Sequence, residues 1–151
     1  MAIGSKLQPV NTRSSAVPKY RFRDQSVLPE DDHQLLRCHL ETCERSRAPS
    51  WTLLAYALQS KIFNTKAVSG PVGRDIVIGG SLVTYSVGGG EHETGLLVHR
   101  VQHGVPSGGN ILVPSLLGAT LIGMRTGQRA PLLCEDGTVN ALFILETIPP
   151  A

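Results

Sequence analysis

Long apolar runs, paired cysteines and nucleotide-binding signatures are all missing from this sequence, and each absence closes off a class of function. No stretch of the 151 residues approaches the roughly 18 consecutive apolar positions of a membrane-spanning helix, so a globular chain is expected. Lys6 and Arg13 precede no apolar block, so the amino terminus does not read as a secretory signal and a cytoplasmic location is expected. Three cysteines, Cys38, Cys43 and Cys134, are an odd number in a chain with ample core-forming residues. They read as reduced, packed thiols and not as a disulfide framework.

Chemistry-bearing motifs are equally sparse. Gly70-Pro71-Val72-Gly73 and Gly88-Gly89-Gly90 lack the Lys-Ser/Thr of a phosphate loop and the strand-to-helix setting of a dinucleotide fingerprint, so both read as turns. Cys38 and Cys43 fall on different faces of a helix; His39 and Cys43 share one, but no second pair completes a metal site. His92, His99 and His103 have no neighbouring acid or nucleophile pattern and read as polar surface groups. No cofactor, metal or small-molecule substrate is expected.

What is present divides the chain by texture. Up to Pro29 there are five basic residues, Lys6, Arg13, Lys19, Arg21 and Arg23, against Asp24 alone. This Ser/Pro-containing segment shows no sustained periodicity, so residues 1–28 read as a basic tail that cannot bury enough apolar surface to order itself. Its charge would suit contact with nucleic acid or an acidic partner.

From Pro29 the pattern becomes helical. Glu30, Asp31 and Asp32 suit the positive end of a helix dipole and Arg45 and Arg47 the negative end, with Asp31 or Asp32 as the expected N-cap. Leu35, Leu36, His39, Leu40 and Cys43 recur on one stripe. Ala48-Pro49 breaks the run, and Ser50 is the expected cap of a second helix whose Leu53, Leu54, Ala57, Leu58 and Ile62 again share a face. Residues 29–69 therefore predict a short antiparallel helical hairpin, each helix about 20 Å long at 1.5 Å per residue.

After Ser69-Gly70-Pro71 the period falls to two. Ile76 and Ile78, Leu82–Val87, Thr94–Val101, Ile111–Val113, Ala130–Cys134 and Val139–Ile148 read as strands, with turns at Gly88–Gly90, Val105–Asn110 and Asp136-Gly137. One helix interrupts them: Ser115 caps Leu116 to Ile122, and Gly123 ends it in the left-handed conformation. Gly118 costs that helix roughly 1 kcal/mol relative to alanine, which implies close approach to the sheet. Residues 70–151 thus predict an α+β unit, an antiparallel sheet covered on one face by one short helix.

These pieces, in this order, resemble a known family. Ile78–Val83, the turn Gly90-Glu91-His92-Glu93-Thr94, the strand at Ile111, the segment Ser115-Leu116-Leu117-Gly118-Ala119-Thr120-Leu121-Ile122-Gly123, Gly127, the Asp136-Gly137 hairpin and the strand Asn140–Ile148 are similar to the C-terminal domain of the bacterial transcription factors GreA and GreB. The resemblance covers Asp75 to Ile148. Leu116 stands where that family usually has Pro, Ala119 where Arg is common and Gln128 where Asp follows the turn glycine. The short hairpin gives a layout similar to the regulator of nucleoside diphosphate kinase, a Gre-like relative.

The resemblance implies an FKBP-like twisted sheet that docks on RNA polymerase near its secondary channel. Met124, Arg125, Thr126 and Leu121 are the expected docking residues, and Glu41, Glu44, Arg47 and Trp51 the expected hairpin-tip residues. Carboxylates at the tip would hold a metal in the polymerase and stimulate transcript cleavage. Glu41 and Glu44 are the candidates, but they read as solvated helix charges, and the tip Ser46-Arg47-Ala48-Pro49 is basic and small. A binding regulator without catalysis of its own is expected; the alternative is a cleavage-stimulating factor using Glu41 and Glu44. Prolyl isomerase activity is disfavoured, since such a pocket needs several aromatics and the C-terminal half has only Tyr85 and Phe143.

Overall fold

The computed structural model describes residues 26–46, 48–101 and 109–151. The tail to Gln25, Arg47, His103 and residues 105–108 of the expected Val105–Asn110 loop lie outside them. Strand β1 (Ser26–Pro29) leads into helix α1 (Glu30–Arg45), and α2 (Ser50–Asn64) leads into β2 (Thr65–Val68). The two helices form the expected hairpin, with Glu30, Asp31 and Asp32 in the first turn of α1 and Arg45 in its last.

Both expected caps are displaced. Pro29 occupies the N-cap position of α1 and Pro49 that of α2, and neither helix has a side-chain cap. Proline serves there because its fixed φ suits helix entry and it has no N–H to satisfy. Asp32, freed from capping, is buried and turned toward another element. The hairpin root is also tied in a way the sequence pattern did not show: β1 pairs parallel with β2, Ser26 opposite Thr65 and Pro29 opposite Val68. Parallel pairing requires a long crossover, and the hairpin itself supplies it. Ser26–Leu28, counted with the tail from sequence, therefore belong to the folded structure, with Leu28 completely buried.

The second unit is a five-stranded sheet of β3 (Leu82–Val87), β4 (Glu93–Val98), β5 (Asn110–Leu112), β6 (Arg129–Leu133) and β7 (Val139–Ile148), ordered β5-β4-β3-β7-β6. Pairings β3–β4, β3–β7 and β6–β7 are antiparallel, as expected. A register shift between Thr84 and Tyr85 bends β3 against β7. The β4–β5 pair is parallel, Leu96 opposite Asn110, against the expectation of a wholly antiparallel sheet. The connection from Val98 to Asn110 is far longer than a hairpin turn, so it can return the chain to the same end of the sheet.

Ile76 and Ile78, read as strand, form only an isolated bridge from Ile76 to Arg125. The segment is held instead to the exit of helix α3 (Leu116–Leu121): Val77 N–H donates to Met124 O at 2.8 Å and Gly123 N–H to Val77 O at 2.8 Å. Strand β6 is at the sheet edge, and on its paired side Cys134 N–H bonds Thr138 O and Ile144 N–H bonds Gln128 O. Even-numbered residues thus face β7, and the missing N–H of Pro131 falls on the open side, where proline blocks edge-to-edge pairing.

Helix α3 follows the sequence reading closely. Ser115 Oγ accepts from Gly118 N–H at 2.9 Å, α3 ends at Leu121, and Gly123 has φ +85°. A Cβ built on Gly118 overlaps Leu112 O and stands 2.7 Å from Leu112 C: the helix rests directly on β5, and no side chain fits between them. One apolar cluster runs from the hairpin through Leu28, Leu36 and Leu58 to Val83, Leu97, Leu121, Leu142 and Ile144 in the helix-covered sheet.

Candidate functional site

Of the expected docking residues, Leu121 and Met124 are core, 0% and 2% exposed. Leu121 faces inward from α3, and Met124 is drawn in by its bond with Val77. Leu121 has no surface to offer a partner, and Met124 offers only its small exposed fraction, on the wall of a groove. Arg125 and Thr126 are exposed on the turn between α3 and β6. That turn is rigid: Thr126 N–H donates to Asp75 O at 2.9 Å, and Arg125 N–H to Gln128 Oε1 at 2.9 Å.

Gln128 also lines an open groove of about 1060 Å³ between α2 and the β6–β7 hairpin, walled by Tyr56, Lys61, Met124, Pro131 and Val139. Phe63, 83% exposed, stands on its rim. An exposed aromatic of this size beside an apolar groove marks an interaction face more often than a solvated surface. The groove was not visible in sequence, because its two walls come from chain segments far apart.

Toward the hairpin tip, Glu41 and Glu44 are exposed on the last turns of α1. Trp51 is not a free tip contact: it is half-buried and packs against the core cluster. Among the described residues no group of three or more His, Cys, Asp or Glu is placed to hold a metal ion, and no helix is long and apolar enough to cross a membrane.

The densest polar geometry lies at the hairpin root, where sequence reasoning did not look. Asp32 Oδ1 accepts from His99 Nε2 at 2.7 Å and from Gly79 N–H at 3.2 Å. His99 Nδ1 stands 3.0 Å from His39 Nε2, and the two rings lie 5.3 Å apart at 19°. The side chains of His99 and Asp32 are 11% and 12% exposed, which corrects the reading of His99 as a surface group. Asp32 and His39 are seven residues apart, two helical turns, and so share a face of α1. That spacing was the available signal, but His39 also fitted the apolar stripe. Burial first, then the charges of His99 and Arg100, lower the His39 pKa to about 4.

A second polar tie crosses the same boundary. Lys61 Nζ on α2 donates to Thr120 O and Ile122 O, both at 2.7 Å, satisfying carbonyls at the C-terminal end of α3. Burial lowers its pKa to about 8. The hairpin is therefore clamped to the sheet unit at two points.

No protein-family model matches the chain, and no curated protein does. Among solved structures, the prokaryotic transcription elongation factor GreA/GreB from Nitrosomonas europaea superposes with a TM-score of 0.57 at 20% identity, covering 83% of this chain and 98% of that one. The fold is that of a Gre-type factor. Gfh1 from Thermus aquaticus (TM-score 0.42, 14% identity) and GreA factor homolog 1 from Thermus thermophilus (0.39, 13%) each align over 83% of this chain and 99% of their own. The match to the Gre-type fold extends beyond the Asp75–Ile148 segment that carried the sequence resemblance, taking in hairpin as well as sheet.

Proposed function

We propose that this chain is a transcription regulator of the Gre type that docks on RNA polymerase through its sheet unit near the secondary channel and contributes no catalysis of its own. The observation that carries the reading is the Gre-type arrangement of hairpin and sheet over 83% of the chain. Two features support the mode of action. The exposed Arg125–Thr126 turn lies next to Gln128 on the wall of an apolar groove with Phe63 at its rim, a rigid surface with an aromatic and an arginine of the kind enriched at interfaces. The hairpin tip, Ser46 to Pro49, carries no carboxylate, and Glu41 and Glu44 sit back on α1.

Core RNA polymerase should retain the full chain in a pull-down, and Arg125→Glu combined with Phe63→Ala should weaken retention at least tenfold while the fold persists. On stalled transcription complexes the chain should leave the RNA length unchanged. RNA shortening that disappears with Glu41→Ala plus Glu44→Ala would establish the cleavage-stimulating alternative instead, and failure of the polymerase to retain the chain would remove the docking reading.

A further inference from the structure

Docking makes no use of the polar groups at the hairpin root, yet three of them, buried Asp32 and half-buried His39 and His99, stand in single file across the boundary between hairpin and sheet. Asp32 and His39 come from α1 and His99 from the bend just after β4. The sheet side is shaped to receive them: a Cβ at Gly79 would lie 2.6 Å from Asp32 Oδ1 and 2.8 Å from His99 Cδ2, so only glycine leaves room. We propose that Asp32, His99 and His39 form a proton-counting joint, which positions the hairpin on the sheet while at most one extra proton is present and releases it when both imidazoles are charged.

The count follows from the donors and acceptors. With Asp32 ionised, His99 must carry its hydrogen on Nε2, so its Nδ1 is an acceptor and His39 must donate from Nε2. One added proton can sit on His99 Nδ1: His99 then donates at both ends, and His39 accepts on Nε2 after moving its own hydrogen to Nδ1. A second proton has no such arrangement. His39 Nε2–H and His99 Nδ1–H would then face each other 3.0 Å apart, two donors and two positive charges with one carboxylate behind them.

The surroundings act in the same direction. Among the described residues, the charged group acting on His39 from the sheet side besides His99 is Arg100, which disfavours its protonation. On α1 the facing charge is Asp32, one imidazole away. The only charged residue of α2 is Lys61, whose ammonium is committed to two carbonyls of the α3 segment. His39 accordingly titrates near 4 in the closed joint against an ordinary 6.5. A group depressed in this way favours the closed form above 6.5. As the pH falls from there toward 4, the closed-to-open ratio drops about tenfold per pH unit, one proton being taken up on opening.

The inference is independent of the polymerase reading, because it is tested on the full chain alone by NMR of the histidine ring nitrogens and the Gly79 amide, which reports the Asp32 contact. His39 and the Gly79 amide should shift together with one shared midpoint between about 4 and 6.5, while amides of β3 and β7 stay in place until lower pH. In His39→Gln, which keeps a donor toward His99 but cannot take a proton, the Gly79 step should vanish. Should that variant fail to fold, Gly79→Ala, which displaces Asp32 and His99 without altering either histidine, should raise the His39 midpoint toward 6.5. A native His39 that titrates at 6.5, a Gly79 step unchanged in His39→Gln, or a His39 midpoint unmoved by Gly79→Ala would overturn the joint.

Discussion

At position 118, helix propensity alone favours alanine over glycine by about 1 kcal/mol, while a Cβ there overlaps the backbone of Leu112. Backbone atoms of β5 cannot yield as a flexible side chain can, so the steric effect wins. Gly118→Ala should lower stability by about 1–3 kcal/mol, the usual cost of overpacking, seen as a lower urea midpoint at unchanged slope. A higher midpoint would mean that α3 does not rest on β5 as described. This position was legible in sequence, since a glycine inside an otherwise good helix asks for a reason. Met124 was not. A Met-Arg-Thr-Gly turn suggests exposure, and only the distant Val77, which bonds Met124 through the backbone, draws the side chain inward. Local pattern reports which residues can turn the chain, and long-range pairing decides which of them the turn buries.

At the scale of elements, helices, hairpin and sheet could be placed from periodicity, because Leu36, Leu54 and Leu58 on the helices and Leu142 and Ile144 on β7 repeat at the spacing their elements require. The ties between elements could not. Lys61 looks from sequence like an ordinary basic residue near a helix end, yet its partners, Thr120 O and Ile122 O, are 59 and 61 residues away. Lys61→Met keeps the apolar stem and removes the donor, at about 1–3 kcal/mol for the carbonyl of buried Ile122 and less for that of half-buried Thr120, which water can reach from the groove. The pH dependence gives a second check. The folded pKa near 8 lies below the ordinary 10.5, so between these values the unfolded chain binds more proton and native stability rises with pH. Tyr85 contributes with the opposite sign above its ordinary range, because burial raises its pKa. The difference between native chain and Lys61→Met isolates the lysine: it should grow with pH from about 8 to 10.5, and a flat difference in denaturant titrations would show that Lys61 is not buried as described.

For the molecule as a whole, the question is whether hairpin and sheet are two bodies or one. The sequence breaks in texture at Ser69-Gly70-Pro71, which suggests two, but residues on both sides of that break share one core. Leu28 is the most telling, because it precedes the hairpin, is completely buried, and lies 3.8 Å from where a Cβ on Gly123 would stand at the exit of α3. Leu28→Ala should cost about 2–5 kcal/mol, as for other buried leucines that leave a cavity. Where the loss appears is more informative than its size. Trp51 fluorescence reports the hairpin and far-ultraviolet circular dichroism includes the sheet, and in a single cooperative body both must follow one transition. Leu28→Ala should therefore move the two midpoints together, by the same amount. If the Trp51 midpoint fell while the sheet signal held, hairpin and sheet would unfold separately, and the clamps formed by Lys61 and by Asp32, His99 and His39 would be too weak to couple them. The shared core argues for coincidence, since a cavity opened at Leu28 removes contacts from the hairpin root and from α3 at once.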